Sequence, residues 1–224
     1  MKNWWSAAKA NRLFWMVVII AVAVIAIDQA TKLWVLHGLD LDRDCQRNPD
    51  GTLLYCPYGK IELSSIFDLN YVENRGVSFG LLSGGIVSRV LLTVLALTVA
   101  GFVLHWAGRL NRKIASVAAG LIIGGAVGNA VDRAVYGYVV DFLDFSGIGF
   151  IWVFNLADTA INLGVACLAY DAFFVAPKAV KSASTGHSSS MATDEPIERK
   201  GDQPFPPADS TSIETENNGS RSSE

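Results

Sequence analysis

LFWMVVIIAVAVIAIDQATK, Leu13–Lys32, decides the fold class. Leu13–Ile27 contains no charged or amide side chain. An apolar run without amphipathic spacing suits lipid rather than one face of a soluble helix. Extended through Leu36, it passes the ~20 helical residues needed to cross a hydrocarbon core of roughly 30 Å. Three more blocks share this character: Ile86–Trp106, Ile114–Val131 and Ile148–Ala176. The chain of 224 residues is 51% hydrophobic, and these blocks make it an integral membrane protein rather than one soluble domain. Lys2, Lys9 and Arg12 precede the first block as they would in a secretory signal. No small-residue cleavage site follows, and the run continues into IDQATKLWVL, so the segment reads as a retained spanning helix.

Basic residues orient the bundle. Lys2, Lys9 and Arg12 lie before span one, Arg109, Arg112 and Lys113 fill the turn between spans two and three, and Lys178 and Lys181 follow span four. Loop 37–85 dilutes Arg43, Arg47, Lys60 and Arg75 among acids, and loop 134–149 has no Lys or Arg. The positive-inside rule therefore predicts both termini and the 107–113 turn in the cytoplasm, with loops 37–85 and 134–149 outside. A net charge of −3 gives no basic surface for nucleic acid.

The expected fold is an all-α membrane protein, a four-transmembrane-helix bundle. It carries a small extracytoplasmic β-containing loop region at 37–85 and a disordered C-terminal tail. The membrane unit is 1–176, with spans at about 13–36, 86–106, 114–131 and 148–176, and the tail is 177–224. TLLYCPYGKIEL and SIFDLNYVEN, inside loop 37–85, alternate apolar and polar residues at strand spacing. The tail is rich in Ser, Thr, Pro, Gly and charge, and cannot bury enough surface to order itself. Gly120, Gly124 and Gly128 line one face of span three and let a neighbouring helix approach. Cys45 and Cys56 share the first loop and can pair if it faces an oxidising compartment, whereas Cys167 reads as a small apolar residue in span four.

Ionisable residues within membrane spans are costly and mark function by default. Asp28 and Lys32 lie about 22 and 28 Å along span one and, at i, i+4, can pair. Asn129, Asp132 and Arg133 close span three, Asn74 and Arg75 precede span two, and Asn155 and Asp158 open span four. By topology all of these fall near the outer face. Asp28 and Lys32 read most simply as a structural ion pair, Asp132 and Arg133 as a boundary marker, and Asn129 with them as a polar knot. Asp158 is harder to dismiss. It has Asn155 one turn before it and Asn162 one turn after, with no Lys or Arg anywhere in 134–176. Such a carboxylate should have a raised pKa or share a proton with another acid, and Asp141 in the preceding loop is the natural partner. Two such acids can activate water and protonate a leaving amine, or bind protons in a carrier.

At these residues the sequence resembles lipoprotein signal peptidase, the bacterial type II signal peptidase family. The resemblance covers about residues 13–176 and rests on DQATK (28–32), NRGVSFGLL (74–82), GNAVDR (128–133), VVDF (139–142) and FNLAD (154–158), in order. It implies an intramembrane aspartyl protease whose catalytic pair is Asp141 and Asp158. It implies support or substrate positioning by Asn74, Gly76, Asn129, Asp132, Arg133 and Asn155, and a structural or site-shaping role for Asp28 and Lys32. The implied reaction is peptide hydrolysis without metal, cofactor or covalent intermediate. Its substrate would be a prolipoprotein cut just before a diacylglyceryl-modified cysteine, with lipid as surroundings and a monomer sufficient. Residues 37–56 look like an insertion relative to typical members, and Val77–Ser78 stand where small alanines are usual.

Rival readings fit less well. A proton-coupled carrier or channel usually shows repeats and a midplane site, whereas these acids gather at one face. A scaffold leaves Asp158 without a reason. The Gly-x-Gly-Asp signature of presenilin-type proteases is absent from the sequence, as is any zinc-ligand spacing, and His37, His105 and His187 cannot converge on a nucleophile.

Overall fold

The computed structural model describes residues 8, 10–76 and 85–175. Four helices dominate it: α1 (Arg12–Leu33), α2 (Ile86–Ala107), α3 (Lys113–Val135) and α4 (Leu156–Tyr170). Wider turns at Trp34–Gly38 and Asp171–Val175 extend α1 and α4, and all four are long and apolar enough to cross a membrane. The chain is a multi-pass membrane protein. Asn11 starts α1 by accepting the N–H of Leu13 at 2.9 Å, and its amide reaches the Leu110 carbonyl, also at 2.9 Å.

α3 is the central helix, packed against each of the other three and buried along most of its length. Its composition makes that possible, since Ala, Gly and Ser supply most of the buried positions. Lipid tails are as apolar as leucine, so helices in a bilayer gain by close packing of small residues rather than by hiding large ones. A methyl added at Gly120 would lie 2.7 Å from Ile20 Cβ, and one at Gly124 2.6 Å from Val24 Cβ. The glycine face expected from spacing is therefore the seat of α1. Gly125, on another face, abuts the Ala157 carbonyl at the start of α4. Ile19, Val94, Phe102 and Phe173 point outward, where hydrocarbon would receive them. At the α1 N-terminal end of the bundle, Arg112 and Asp171 pair at 2.7 Å and tie α3 to the end of α4.

Among the described residues the other end carries six strands: β1 (Gln46–Arg47), β2 (Leu53–Tyr55), β3 (Lys60–Glu62), β4 (Asp68–Asn74), β5 (Val139–Asp144) and β6 (Val153–Phe154). β1 and β2 form a small antiparallel pair, and the rest form a four-stranded antiparallel sheet in the order β3-β4-β5-β6. The all-α expectation is thereby corrected. The two alternating segments of the loop region supply β2, β3 and β4 as predicted, and β1 lies outside them. The segment read as a plain loop, 134–149, supplies β5, because VVDFLD is rich in β-branched and aromatic residues and β4 offers it a free edge. Tyr71, Val140 and Phe142 turn inward onto Val35, Leu36 and Leu41, which seats the sheet on the end of α1.

One covalent tie closes the β1–β2 pair, and one ion pair joins β1 to β4. Cys45 and Cys56 are disulfide-bonded. The buried carboxylate of Glu73 pairs with Arg47 and, at 2.8 Å, with Arg75. Cys167 is free and half-buried.

The fourth helix begins at Leu156 rather than at Ile148. Ser146–Ile148 is a single tight turn, and Val153–Phe154 pairs with Leu143–Asp144 instead of coiling. The third helix runs on to Val135, so Asp132 and Arg133 belong to its last turn. Val77–Ser78 and the tail 177–224 lie outside the described residues.

Candidate active site

β5 and the start of α4 deliver the two predicted aspartates to one place. Asp141 sits mid-strand, opposite Val72 of β4, and is 2% exposed. It is a strand residue, not a loop residue. Asp158 stands in the first turn of α4 and is half-buried. It lies this near the helix start because the segment before Leu156 is not helical.

Three asparagines hold these carboxylates, and in each one the side-chain oxygen is occupied by a donor. Asn155 is the N-cap of α4, and its Oδ1 accepts the backbone N–H of Asp158 at 2.9 Å. Its Nδ2 must therefore face the other way. It donates to Asp141 Oδ1 at 2.7 Å, with Asn129 Oδ1 at 3.2 Å and the Val140 carbonyl at 3.3 Å. Asn129 Oδ1 faces Lys32 Nζ at 3.2 Å, and a lysine can only donate. That fixes Asn129 Nδ2 toward Asp158 Oδ1 at 2.7 Å. Asn74 Oδ1 accepts the N–H of Gly76 at 3.2 Å, and its Nδ2 donates to Asp141 Oδ2 at 3.0 Å. Gly76 has φ +144°, a conformation that side chains resist, which explains a glycine there.

Behind the amides lies a charged knot. Lys32, 1% exposed, places Nζ 2.8 Å from Asp28 Oδ2 and 2.8 Å from Asp132 Oδ2. The expected Asp28–Lys32 pair is present, and Asp132 joins it. Each acid also grips backbone. Asp28 Oδ1 accepts the N–H of Ala157 at 3.0 Å, and Asp132 Oδ2 accepts that of Val140 at 3.1 Å. Ala157 and Val140 immediately precede Asp158 and Asp141. The knot thus fixes the main chain that carries both candidate catalytic groups.

Gln29 completes this knot and was not singled out by sequence reasoning. Its Nε2 donates to Asp132 Oδ1 at 2.8 Å, to Asp28 Oδ2 at 3.2 Å and to the Gly128 carbonyl at 3.3 Å. The signal was its position inside DQATK, between the two charges. Arg133 donates to the Asn129 carbonyl at 3.3 Å and is half-buried. Asp144, at the far end of β5, is engaged by Asn70 at 3.0 Å and the Ser146 N–H at 2.8 Å, which suits a structural role.

Burial pushes the Asp141 carboxyl up to about 7, and the neighbouring Asp158 charge pushes it the same way. The amides of Asn74 and Asn155 oppose that rise without cancelling it. A cavity of about 380 Å³ opens beside Asp158, lined by Phe150, Trp152, Phe154, Ile161 and Asn162. Among the described residues only Oδ1 of Asp158 carries a side-chain hydrogen bond, leaving Oδ2 for water or a ligand. Paired acids with one raised pKa, beside an open apolar cavity, can perform general acid–base hydrolysis.

Comparison with known proteins agrees with this geometry. The model of the family described as "Signal peptidase (SPase) II" matches residues 20–174. A lipoprotein signal peptidase of Rhodopseudomonas palustris (strain TIE-1) is 39% identical over 171 residues, covering 74% of this chain and 95% of the relative. One from Caulobacter vibrioides is 40% identical over 164 residues, covering 73% and 89%. The fold resembles a bacterial membrane enzyme solved by the in meso method at 2.3 Å resolution, with a TM-score of 0.54 and 21% identity over 83% of this chain and 94% of that one.

Proposed function

The chain belongs to the signal peptidase II family, and from that premise we propose that it is an aspartic endopeptidase removing signal peptides from prolipoproteins, with Asp141 and Asp158 as its catalytic pair. The observation that carries the assignment is the amide cradle. Asn155 touches Asp141 and the backbone of Asp158 at once, and Asn74 and Asn129 complete it.

In the resting pair Asp141 holds the shared proton and Asp158 is a carboxylate. Asp158 takes a proton from a water molecule as its oxygen attacks the scissile carbonyl carbon. Asp141 gives its proton to the carbonyl oxygen, which forms a neutral gem-diol. Asp158 then protonates the leaving nitrogen as the C–N bond breaks, and Asp141 recovers a proton from the diol. The resting state returns with one acid and one amine released. Asn74, Asn129 and Asn155 orient the two carboxylates. Gly76, Asp28, Lys32 and Asp132 hold those amides and the adjoining main chain. Arg133 supports the site through Asn129.

The cut falls just before a diacylglyceryl-modified cysteine, and the bundle lies in the bacterial inner membrane with both termini in the cytoplasm. The basic 109–113 turn and the acid-rich sheet end support that orientation, which sets the dyad near the outer face. There the lipid chains stay among acyl chains while water reaches the scissile bond. The working unit is 1–176, which acts as a monomer, and 177–224 is dispensable for the chemistry.

Cleavage of a purified diacylglyceryl prolipoprotein, followed by gel shift, tests the pair. Asp141→Asn and Asp158→Asn are expected to lose cleavage by at least ~10²-fold, the scale of a lost general acid or base, while still folding, which a cooperative thermal unfolding transition checks. Substantial cleavage by either variant would remove that aspartate from the mechanism.

A further inference from the structure

Asn162 is the polar group that this mechanism leaves unused. It lies on α4 one turn beyond Asp158, about 6 Å further from the sheet end. Its side chain is exposed on a membrane-spanning helix, and among the described residues it has no hydrogen-bond partner. Of its exposed neighbours on α4, Leu163 and Val165 are apolar, and Thr159 turns its hydroxyl back to the Asn155 carbonyl at 3.0 Å. An amide facing hydrocarbon is unfavourable unless something bonds to it. Asn162 and Asp158 line the same cavity of about 380 Å³, whose other walls are Phe150, Trp152, Phe154 and Ile161.

We propose that Asn162 is a substrate-positioning residue whose amide hydrogen-bonds one backbone peptide group of the bound signal segment, on the side that precedes the cut. This rests on the function proposed above and names a contact within it. A substrate cut at Asp158 must run from there along the bundle toward its other end, because the rest of the signal segment crosses the bilayer. To expose a peptide bond to water and two acids, the chain near the cut must be extended. An extended chain at membrane depth has N–H and C=O groups with no partner of their own. The Asn162 amide offers a donor and an acceptor, so it can satisfy one peptide group as a strand neighbour would. At about 3.3 Å per extended residue, a distance of about 6 Å selects the peptide group two residues before the cut. The rings of Phe150, Trp152 and Phe154 keep water from competing for that bond.

Steady-state cleavage of a synthetic lipopeptide bearing diacylglyceryl cysteine tests this contact in the full-length enzyme. Two altered substrates accompany the parent, one with an ester replacing the amide two residues before the cut and one with ether-linked lipid chains. Asn162→Leu suits a lipid-facing helix, and an unchanged unfolding temperature would show that it folds. It is expected to lower kcat/KM for the parent roughly threefold to tenfold, the scale of one hydrogen bond. The backbone ester should cost wild type a similar factor and cost Asn162→Leu almost nothing, since contacting groups are non-additive. Equal ester penalties in both enzymes, or an unchanged kcat/KM, would overturn the inference. Coupling to the ether lipid instead would also overturn it and assign Asn162 to the lipid ester carbonyls. If wild type cut the parent normally while these failed, only Asn162 would be reassigned. Failure of wild type to cut the parent would bring down the proposed function and this contact together.

Discussion

Asp132 accepts the backbone N–H of Val140 at 3.1 Å, one residue before Asp141. Asp28 does the same for Ala157, one residue before Asp158, and Lys32 bridges the two acids. A single cation thus ties strand β5 to helix α4 through the main chain. Lys32→Met leaves two buried carboxylates without their partner, a change that costs about 3–5 kcal/mol in buried pairs. Thermal unfolding in detergent should show a large loss of stability together with loss of cleavage. Adding Asp28→Asn removes one stranded charge and should recover part of the stability. Lys32→Arg should not substitute, because a planar fork does not fit a site built around a point donor.

Asn155 does two separable jobs, capping α4 and donating to Asp141. Asn155→Ser keeps a side-chain acceptor for the Asp158 N–H but cannot reach Asp141 as the amide does. Asn155→Ala loses both. Serine should retain most of the helix-cap stability, which is about 1 kcal/mol, yet both variants should lose activity by roughly tenfold or more. Comparing unfolding temperature with kcat separates the roles. If serine restored full activity, the contact with Asp141 would be idle.

The helices were legible because lipid imposes a coarse rule: a span needs length and apolarity, and the run Leu13–Ile27 has both. Asp158 was legible because charge at a span end is costly, and Asp141 because it is the acid on the loop leading into that span that could share a proton with it. The strand status of Asp141 was not, since VVDFLD gains its partner only from β4, which lies far away in sequence. The start of α4 was misplaced for a related reason. GFIWVF is as apolar as a helix, and only its pairing with β5 and the Asn155 cap reveal that it is extended. Gln29 escaped notice because an amide beside two charges carries no signal until the partner helix is in place.

Protonation supplies a prediction with a definite sign. The folded chain holds a proton on Asp141 between its ordinary value of 3.8 and about 7, because burial and the nearby Asp158 charge disfavour ionisation. The unfolded chain has already released that proton over the same interval. This contribution to stability is therefore complete below the ordinary value and is lost as pH rises through about 7. Asp141→Asn should flatten the decline. Cleavage should follow a bell-shaped profile whose upper limb lies near neutral pH, the two limbs belonging to the pair. A rate that kept climbing well above neutrality would contradict a protonated Asp141.

Gly125 tests how tightly the dyad depends on helix packing. It touches the Ala157 carbonyl, so an added methyl meets rigid backbone rather than a flexible side chain. Gly125→Ala must push α4 away from α3 at the turn that carries Asp158. Overpacking of this kind costs about 1–3 kcal/mol, and here the displacement should also stretch the bond from Asn129 to Asp158. Gly101→Ala on α2 is the control, since none of the described residues lies within 4 Å of its added methyl. The control should unfold at or slightly above the wild-type temperature with normal cleavage. Gly125→Ala should lose stability and lose kcat by more than its unfolded fraction explains. Normal kcat in a folded Gly125→Ala enzyme would mean that α4 can shift without moving Asp158 out of register.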